Sequence, residues 1–509
     1  MLGVFSNKSD HPLADVKSAQ QLLEALPQTD SVVVLDEIGH WIEALFDPVN
    51  AFRLDHQCAV LRLLDEAAHT HLRKISQAYF AAQAPNAFQE ARMWEAMNNY
   101  LRFGEFGYLS LLGGVRSGEK GSSGVRTQMT LVIARGIYAL FRRQECAEYK
   151  YFQAHPQCWQ NLADLYDYAE TIACLDEPVS VYPGSGNDNL TIRRMFACVI
   201  AWNSMVVGAF KPLELHIAKY ILTQMSKSFK VHKHYMPGSH FMFNLANPSV
   251  PTRVYIQGAQ YPASVRFVEI MAPTAYLDNL LKTLGKNILP DELKFDAVYG
   301  VELVAETIRR IAVYFKNELP VRRQQRKKIK VNVNACYGYL NILEQADEGL
   351  NIQGATSKIC ALEDISLNGI RFVLDSNQVN SINIGTLVGL RPDNSKNCGA
   401  GIVRRLKRDE KNNLHVGVRV LSNKTEVVLV YSGAGGHAAT LALLLDYAEA
   451  QNGESWMLVP TDTFSPNTNL SMRLGNKNNL LIPIDIIEKG EDFELVRYRR
   501  LEQQSDVDV

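Results

Sequence analysis

Around Pro320 the periodicity of this 509-residue chain changes, and that change limits the fold more than any single motif. From about Lys17 to Lys230 apolar residues recur at three-to-four spacing with few Gly or Pro, in segments such as Phe52–Ala82, Arg126–Phe152 and Leu190–Ser228. Such spacing lays an apolar stripe along one face of a helix. Breaks fall at Pro85-Asn86, at Gly113-Gly114 with Gly118 to Gly124, and at Pro183 to Gly186. These residues punctuate helices. The expectation is an antiparallel array of helix pairs, without the fixed period that would mark a named repeat.

The pattern then shortens. Arg253–Ile256 and Val265–Ile270 alternate between Pro- and Gly-bearing turns, which suggests a small β element. A helix is expected over Val301–Phe315, stopped at Leu319-Pro320, since proline cannot continue it. Beyond lie Ile329, Val331 and Val333 in alternation, then Gly369–Leu374 and His415–Leu421, separated by Asn, Asp and Gly turns. Short strands at that spacing predict a small barrel. After Asn423 come a connecting strand, a predicted helix around Thr440–Ala450, and strands from Trp456 to Tyr498. The chain thus reads as an α+β multidomain protein. Its expected parts are a helical domain (1–240), a small β/α connecting region (241–320), a β-barrel (321–425) and a C-terminal β-rich extension (426–509).

Several function classes are disfavoured. A formal net charge of −1 does not supply the basic field that bulk nucleic-acid binding needs, so any nucleotide site must be local. The richest apolar stretch, Met195 to Gly208, is too short to span a bilayer. The first residues lack a basic segment followed by an apolar core, so secretion is not expected. Eight scattered cysteines without a CxxC pair fit reduced thiols in a cytoplasmic protein. No G-x-S-x-G, H-E-x-x-H or P-loop is present, and nothing asks for an enzyme or a cofactor. His232, His234 and His240 cluster without a suitably spaced partner, so no metal site is expected. Ser432 to His437 follows a strand but lacks an intact G-x-G-x-x-G, and is expected to be a linker.

Two pieces carry chemistry. The run Val321 to Lys330 places Arg322, Arg323 and Arg326 with Lys327, Lys328 and Lys330 between a proline and a strand. Guanidinium is planar, permanently charged and five-donor, able to fork onto phosphate oxygens or lie flat on a purine. A solvated basic face is the plainer reading of the run by itself. The second piece is Asp364-x-Ser366-x-x-Gly369 on a strand-turn-strand pattern. The Asp364 carboxylate can accept the Watson–Crick-edge N–H and exocyclic amine of guanine, a donor pair other bases lack. Ser366 can bond base or phosphate, and Gly369 permits a positive-φ turn or close backbone approach. A plain Asx or Ser turn is the alternative.

Together, in this order, the two pieces resemble the RxxxR and (D/N)xSxxG signatures of PilZ domains, the bacterial cyclic di-GMP receptors. Gly401–Leu406 and His415–Leu421 resemble that family's later hairpin, so the likeness runs from about Val321 to Ser422. It implies a PilZ-like six-stranded barrel that binds cyclic di-GMP. Arg322 and Arg326 take the RxxxR positions with Arg323 beside them, and Asp364, Ser366 and Gly369 the second motif. Lys327 and Lys328 stand between Arg326 and the strand, so an Arg323/Lys327 alignment is also open. The gap between motifs is long, with an insertion around Leu343 to Thr356. The resemblance further implies a switch rather than a catalyst. The ligand orders the cationic loop and reorients the helical domain toward a protein partner, with motility, pili or biofilm as output. The alternative is a degenerate PilZ-like scaffold that binds partners without nucleotide.

Overall fold

The computed structural model describes residues 11–503 except 82–85, 183, 185–188, 206, 255–259, 296–298, 317–325, 348–349, 351–356, 367, 376–381, 393–394, 396, 433–437, 447–452 and 476. Two compact units are present: Met1–Val207 with Pro212–Leu319, and Gly208–Lys211 with Pro320–Val509.

The first unit opens with the helical array: α1 (Val16–Ala25), α2 (Ser31–Leu45), α3 (Leu54–Tyr79), α4 (Ala87–Ser117), α5 (Ser122–Arg126), α6 (Met129–Glu148), α7 (Pro156–Thr171), α8 (Ile192–Ser204) and α9 (Pro212–Met225). Capping residues mark the ends. Asn86 accepts the Gln89 N–H at 2.9 Å to start α4, and Gly118, at φ +73°, ends it. Both devices satisfy backbone groups that a helix terminus would leave bare. The expected break at Gly113-Gly114 does not occur, because α4 runs through it. A Cβ at Gly114 would lie 2.6 Å from Leu54 Cδ1, so the small residue serves close packing against the start of α3 rather than termination.

α4 packs on α2 and α6, and α6 is buried around most of its circumference. Its polar residues therefore need internal partners. Asp65 on α3, 3% exposed, accepts the hydroxyls of Tyr100, Tyr108 and Tyr182, and lies 3.4 Å from Arg135 on α6. Burial, then the Asp65 charge, hold all three phenols protonated far above their ordinary range, so each remains a donor. Farther along α6, Glu145 meets Arg142 at 3.2 Å and Lys219 of α9 at 3.4 Å. Burial opposes its charge, yet those two cations hold the carboxyl below its usual range.

Glu148, one turn on, has the opposite fate. It accepts a short hydrogen bond from Trp202 Nε1, at 2.6 Å, and burial pushes its pKa up to about 8. Between the unfolded value of 4.5 and about 8 the carboxyl is protonated in the folded chain and ionised in the unfolded one. Folding then takes up a proton, so this group's contribution is complete below 4.5 and is lost as pH rises toward about 8. Glu148→Gln is expected to flatten the decline of melting temperature between pH 5 and 8 and to be the more stable form at pH 8, by roughly a few kcal/mol. Parallel melting-temperature profiles for the two proteins would refute the assignment.

Four strands follow, β1 (Phe229–His232), β2 (Ser239–Asn244), β3 (Thr252–Arg253) and β4 (Val265–Ile270), in the antiparallel order β1-β4-β2-β3. The sheet rests on α8 through Phe243 against Phe196, and Arg266 of β4 forks onto Glu170 of α7. Helices α10 (Pro273–Leu284) and α11 (Val301–Tyr314) complete the unit.

The second unit holds two closed six-stranded barrels. The first contains β5 (Lys327–Tyr337), β6 (Lys358–Ser366), β7 (Gly369–Leu374), β8 (Leu387–Pro392), β9 (Gly399–Arg408) and β10 (Leu414–Ser422), ordered β10-β7-β6-β5-β8-β9. The second contains β11 (Thr425–Ser432), β12 (Ala438–Leu445), β13 (Glu454–Val459), β14 (Leu470–Leu474), β15 (Lys477–Lys489) and β16 (Glu494–Gln503), ordered β11-β12-β13-β16-β15-β14. The expected α+β plan is thus present, with the C-terminal extension closing into a barrel of its own.

One expected helix, Thr440–Ala450, is instead strand β12 over its described part. Its Ala- and Leu-rich sequence favours helix, but β12 pairs along its length with β11 and at its end with β13, and that tertiary context outweighs local preference. After β5 comes α12 (Tyr339–Ala346), whose last residues begin the insertion expected around Leu343 to Thr356; residues 348–349 and 351–356 lie outside the described set. The Tyr339 hydroxyl donates to Leu441 O at 2.7 Å, and its backbone N–H to Asp492 Oδ2 at 2.6 Å. Ile342 and Leu343 share one apolar cluster with Leu387 and Ile402 of the first barrel and Leu443 and Leu458 of the second.

Candidate functional site

The β6–β7 hairpin brings the second motif together. Ser366 pairs with Gly369, leaving a two-residue turn, and Ser366 Oγ donates to Gly369 O at 3.1 Å. The hydroxyl thereby locks the hairpin end. Gly369 is not at positive φ. A Cβ there would lie 3.4 Å from both Ser366 Oγ and Val418 O, and 3.7 Å from an Arg326 guanidinium nitrogen. These are ordinary van der Waals distances, so neither use of the glycine is required by the geometry.

Arg326 immediately precedes β5, and its Nη1 donates to Asp364 Oδ1 at 2.7 Å. The two sequence motifs, 38 positions apart, therefore meet in one ion pair. Asp364 is 6% exposed, whereas the Arg326 side chain is 30% exposed and keeps a face toward solvent. Arg322 and Arg323 lie outside the described residues. Lys327 and Lys328 begin β5, both exposed, and pair in register with Ile365 and Asp364.

Sequence reasoning missed two members of this cluster. A β-bulge between Leu362 and Asp364 sets two residues of β6, Glu363 and Asp364, against Arg371 on β7. Arg371 Nε lies 2.9 Å from Glu363 Oε2 and 2.9 Å from Asp364 Oδ2. The signal was present: a two-residue turn closed by Ser366 and Gly369 places Arg371 opposite Asp364. The bulge that adds Glu363 leaves no mark in the sequence. Each Asp364 oxygen thus faces one arginine, Oδ1 toward Arg326 and Oδ2 toward Arg371. On the neighbouring strand Arg419 pairs with Gly369 in register, and with Arg404 it meets Glu488 of the second barrel.

The other sequence features have structural uses. Ser432 and Ala438 are paired ends of an antiparallel hairpin, so no strand-to-helix phosphate turn exists there; residues 433–437 lie outside the described set. His232 Nε2 lies 2.8 Å from Glu269 Oε2, and His240 Nδ1 accepts the Ile270 N–H. Among the described residues no group of three or more His, Cys, Asp or Glu could hold a metal ion, and no helix is long and apolar enough to cross a membrane. All eight cysteines are buried free thiols.

No curated protein matches the chain. A family likeness does exist, and it falls on the helical array rather than on the barrel. Residues 17–235 match the family model described as cyclic-di-GMP receptor FimW, N-terminal domain.

Proposed function

We propose that the chain is a cyclic di-GMP receptor in which the first barrel, residues 321–425, binds the nucleotide and the helical domain delivers the output to a protein partner. The carrying observation is the Arg326–Asp364 pair at 2.7 Å, because it joins both motifs at one half-exposed spot beside a bare glycine. Support also comes from elsewhere in the chain, since the helical residues match a domain family of a receptor for the same ligand.

The chemistry is an exchange. A phosphate draws the Arg326 guanidinium off Asp364, which frees Oδ1 to accept guanine N–H groups, while Arg371 keeps Oδ2 in place. The Asp364 carboxylate keeps a cation beside it throughout, since Arg371 Nε lies 2.9 Å from Oδ2. Arg322 and Arg323 are assigned to the phosphates with Arg326, and Ser366 and Gly369 to holding the turn open beneath the ligand. Binding at the segment where the second unit begins then changes the relation between helical domain and barrel, with motility, pili or biofilm control as the output.

A second reading has its own observation: both Asp364 oxygens already face protein cations, as they would in a structural ion pair of a scaffold that reads no nucleotide. Calorimetric titration of full-length protein with cyclic di-GMP, beside its hydrodynamic radius with and without ligand, separates the two. Binding with a changed radius supports the receptor and its coupling, binding with an unchanged radius removes the coupling, and heat-silent mixing leaves the scaffold.

A further inference from the structure

The helical unit contains a cavity of about 220 Å³ that the nucleotide reading does not use. Four helices wall it, each with residues at helical spacing: His69, Leu72, Arg73 and Ser76 from α3, and corresponding stripes from α6, α8 and α9. Residues one and two turns apart on a helix share a face, so each helix presents one continuous strip to the space. Each strip includes one cation: Arg73, Arg142, Arg194 and Lys219. Lys294 adds a fifth, and among the described residues the lining has no Asp or Glu. Most of the remaining wall is Leu, Ile, Val, Met, Cys and aromatic rings.

The polar atoms there are incompletely matched. Among the described residues, Ser76, 2% exposed, and Gln224, 9% exposed, have Oγ and Oε1 buried without a hydrogen-bond partner, as do His69 Nδ1 and Arg194 Nε. Arg194 uses its terminal nitrogens on Asn189 O and Ser226 Oγ, neither of which neutralises its charge. Glu145, behind the wall, counters Arg142 and Lys219. Burial, then the charges of Arg142 and Arg73, push the His69 imidazole down to about 4, so it is neutral at pH 7. Buried polar atoms without partners are rare in folded proteins and call for an explanation. A mostly apolar concavity with a few convergent polar groups is the usual form of a small-ligand site.

From this arrangement we propose that the α3–α6–α8–α9 cavity binds a small organic anion with an apolar body. The head meets Arg194 and Arg73, and the body lies among the apolar side chains of α6 and α8. The site belongs to the helical unit alone and is independent of nucleotide binding at the barrel.

The test uses full-length protein, with decanoate as probe, decanol as its uncharged counterpart and decyl phosphate as the alternative head. Decanoate or decyl phosphate is expected to bind saturably and raise the melting temperature, the tighter of the two identifying the head group. Decanol is expected to bind at least tenfold more weakly, and Arg194→Gln and Arg73→Gln each to weaken the anion roughly tenfold, as for loss of one charge-assisted hydrogen bond. Arg73 is exposed, so its variant tests the head-group contact even if Arg194→Gln fails to fold. Equal binding of decanol and the anions, binding unaffected in folded variants, or no binding of either anion would overturn the proposal.

Discussion

Arg326→Ala and Asp364→Ala are each expected to weaken cyclic di-GMP binding by about a hundredfold or more, read by calorimetry on full-length protein. Truncating one partner of a desolvated, hydrogen-bonded charge pair costs roughly 2–5 kcal/mol, and about 1.4 kcal/mol is a factor of ten. The two losses have different causes. Without Arg326 the phosphate loses a guanidinium, although Asp364 can still read guanine. Without Asp364 the guanine donors meet no carboxylate, although the arginines still hold phosphate. Cyclic di-AMP therefore distinguishes them: Asp364→Ala should narrow the preference for the guanine nucleotide, and Arg326→Ala should leave that preference intact while lowering both affinities. Two folded variants that bind cyclic di-GMP like the parent would exclude the assigned site. Their stability cost should be modest, because Arg326 is part-exposed and water screens its pair. Arg371 also retains Glu363 when Asp364 is gone.

Asp65→Ala should be the most destabilising change in the helical unit, by about 4 kcal/mol. It leaves the Tyr100, Tyr108 and Tyr182 hydroxyls without their acceptor and weakens the environment of Arg135, which retains Glu66 at 2.6 Å. Breaking a buried charge network by removing one member typically costs about 3–5 kcal/mol. In a unit of this size that corresponds to a fall in melting temperature of roughly 6 °C. Calorimetry should show the shift in the helical transition, since Asp65 and its partners all lie in the first unit. A shift below about 2 °C would mean that water replaces the carboxylate and the network contributes little.

Much of the architecture could be read from spacing. The three-to-four period before Lys230 and the alternation after Pro320 follow from which faces are buried, and burial is what forms α3, α6 and α8 and strands β6, β7 and β10. What failed were features decided by distant partners. Gly114 reads as a helix stop until Leu54 is placed against it. The Leu- and Ala-rich β12 reads as a helix until β11 and β13 supply its hydrogen bonds. At the candidate site the arginines and the Asp364 motif were legible as residue types suited to a guanine nucleotide. The meeting of Arg326 with Asp364, and the bulge that draws Glu363 and Arg371 into it, depend on strand register. The cationic cavity was not legible at all, because its charges come singly from four helices and never form a run.

Helix α12 has a consequence for how the C-terminal half can be divided. A chain ended after β10 would keep all six strands of the first barrel yet remove Leu443, Leu445, Leu458, Phe493 and Leu495 from the apolar cluster that holds Ile342, Leu343, Leu387 and Ile402. It would also leave the Tyr339 hydroxyl without its acceptor on Leu441. Each such apolar side chain, if fully exposed, forfeits roughly 1.5–3 kcal/mol. Such a fragment would tend to associate through that bared surface, and titrations on it would report the aggregate as much as the folded barrel. The smallest piece that keeps the Arg326–Asp364 cluster without baring that surface is therefore the pair of barrels, and an evolutionary loss of the second would require α12 to change its sequence at the same time.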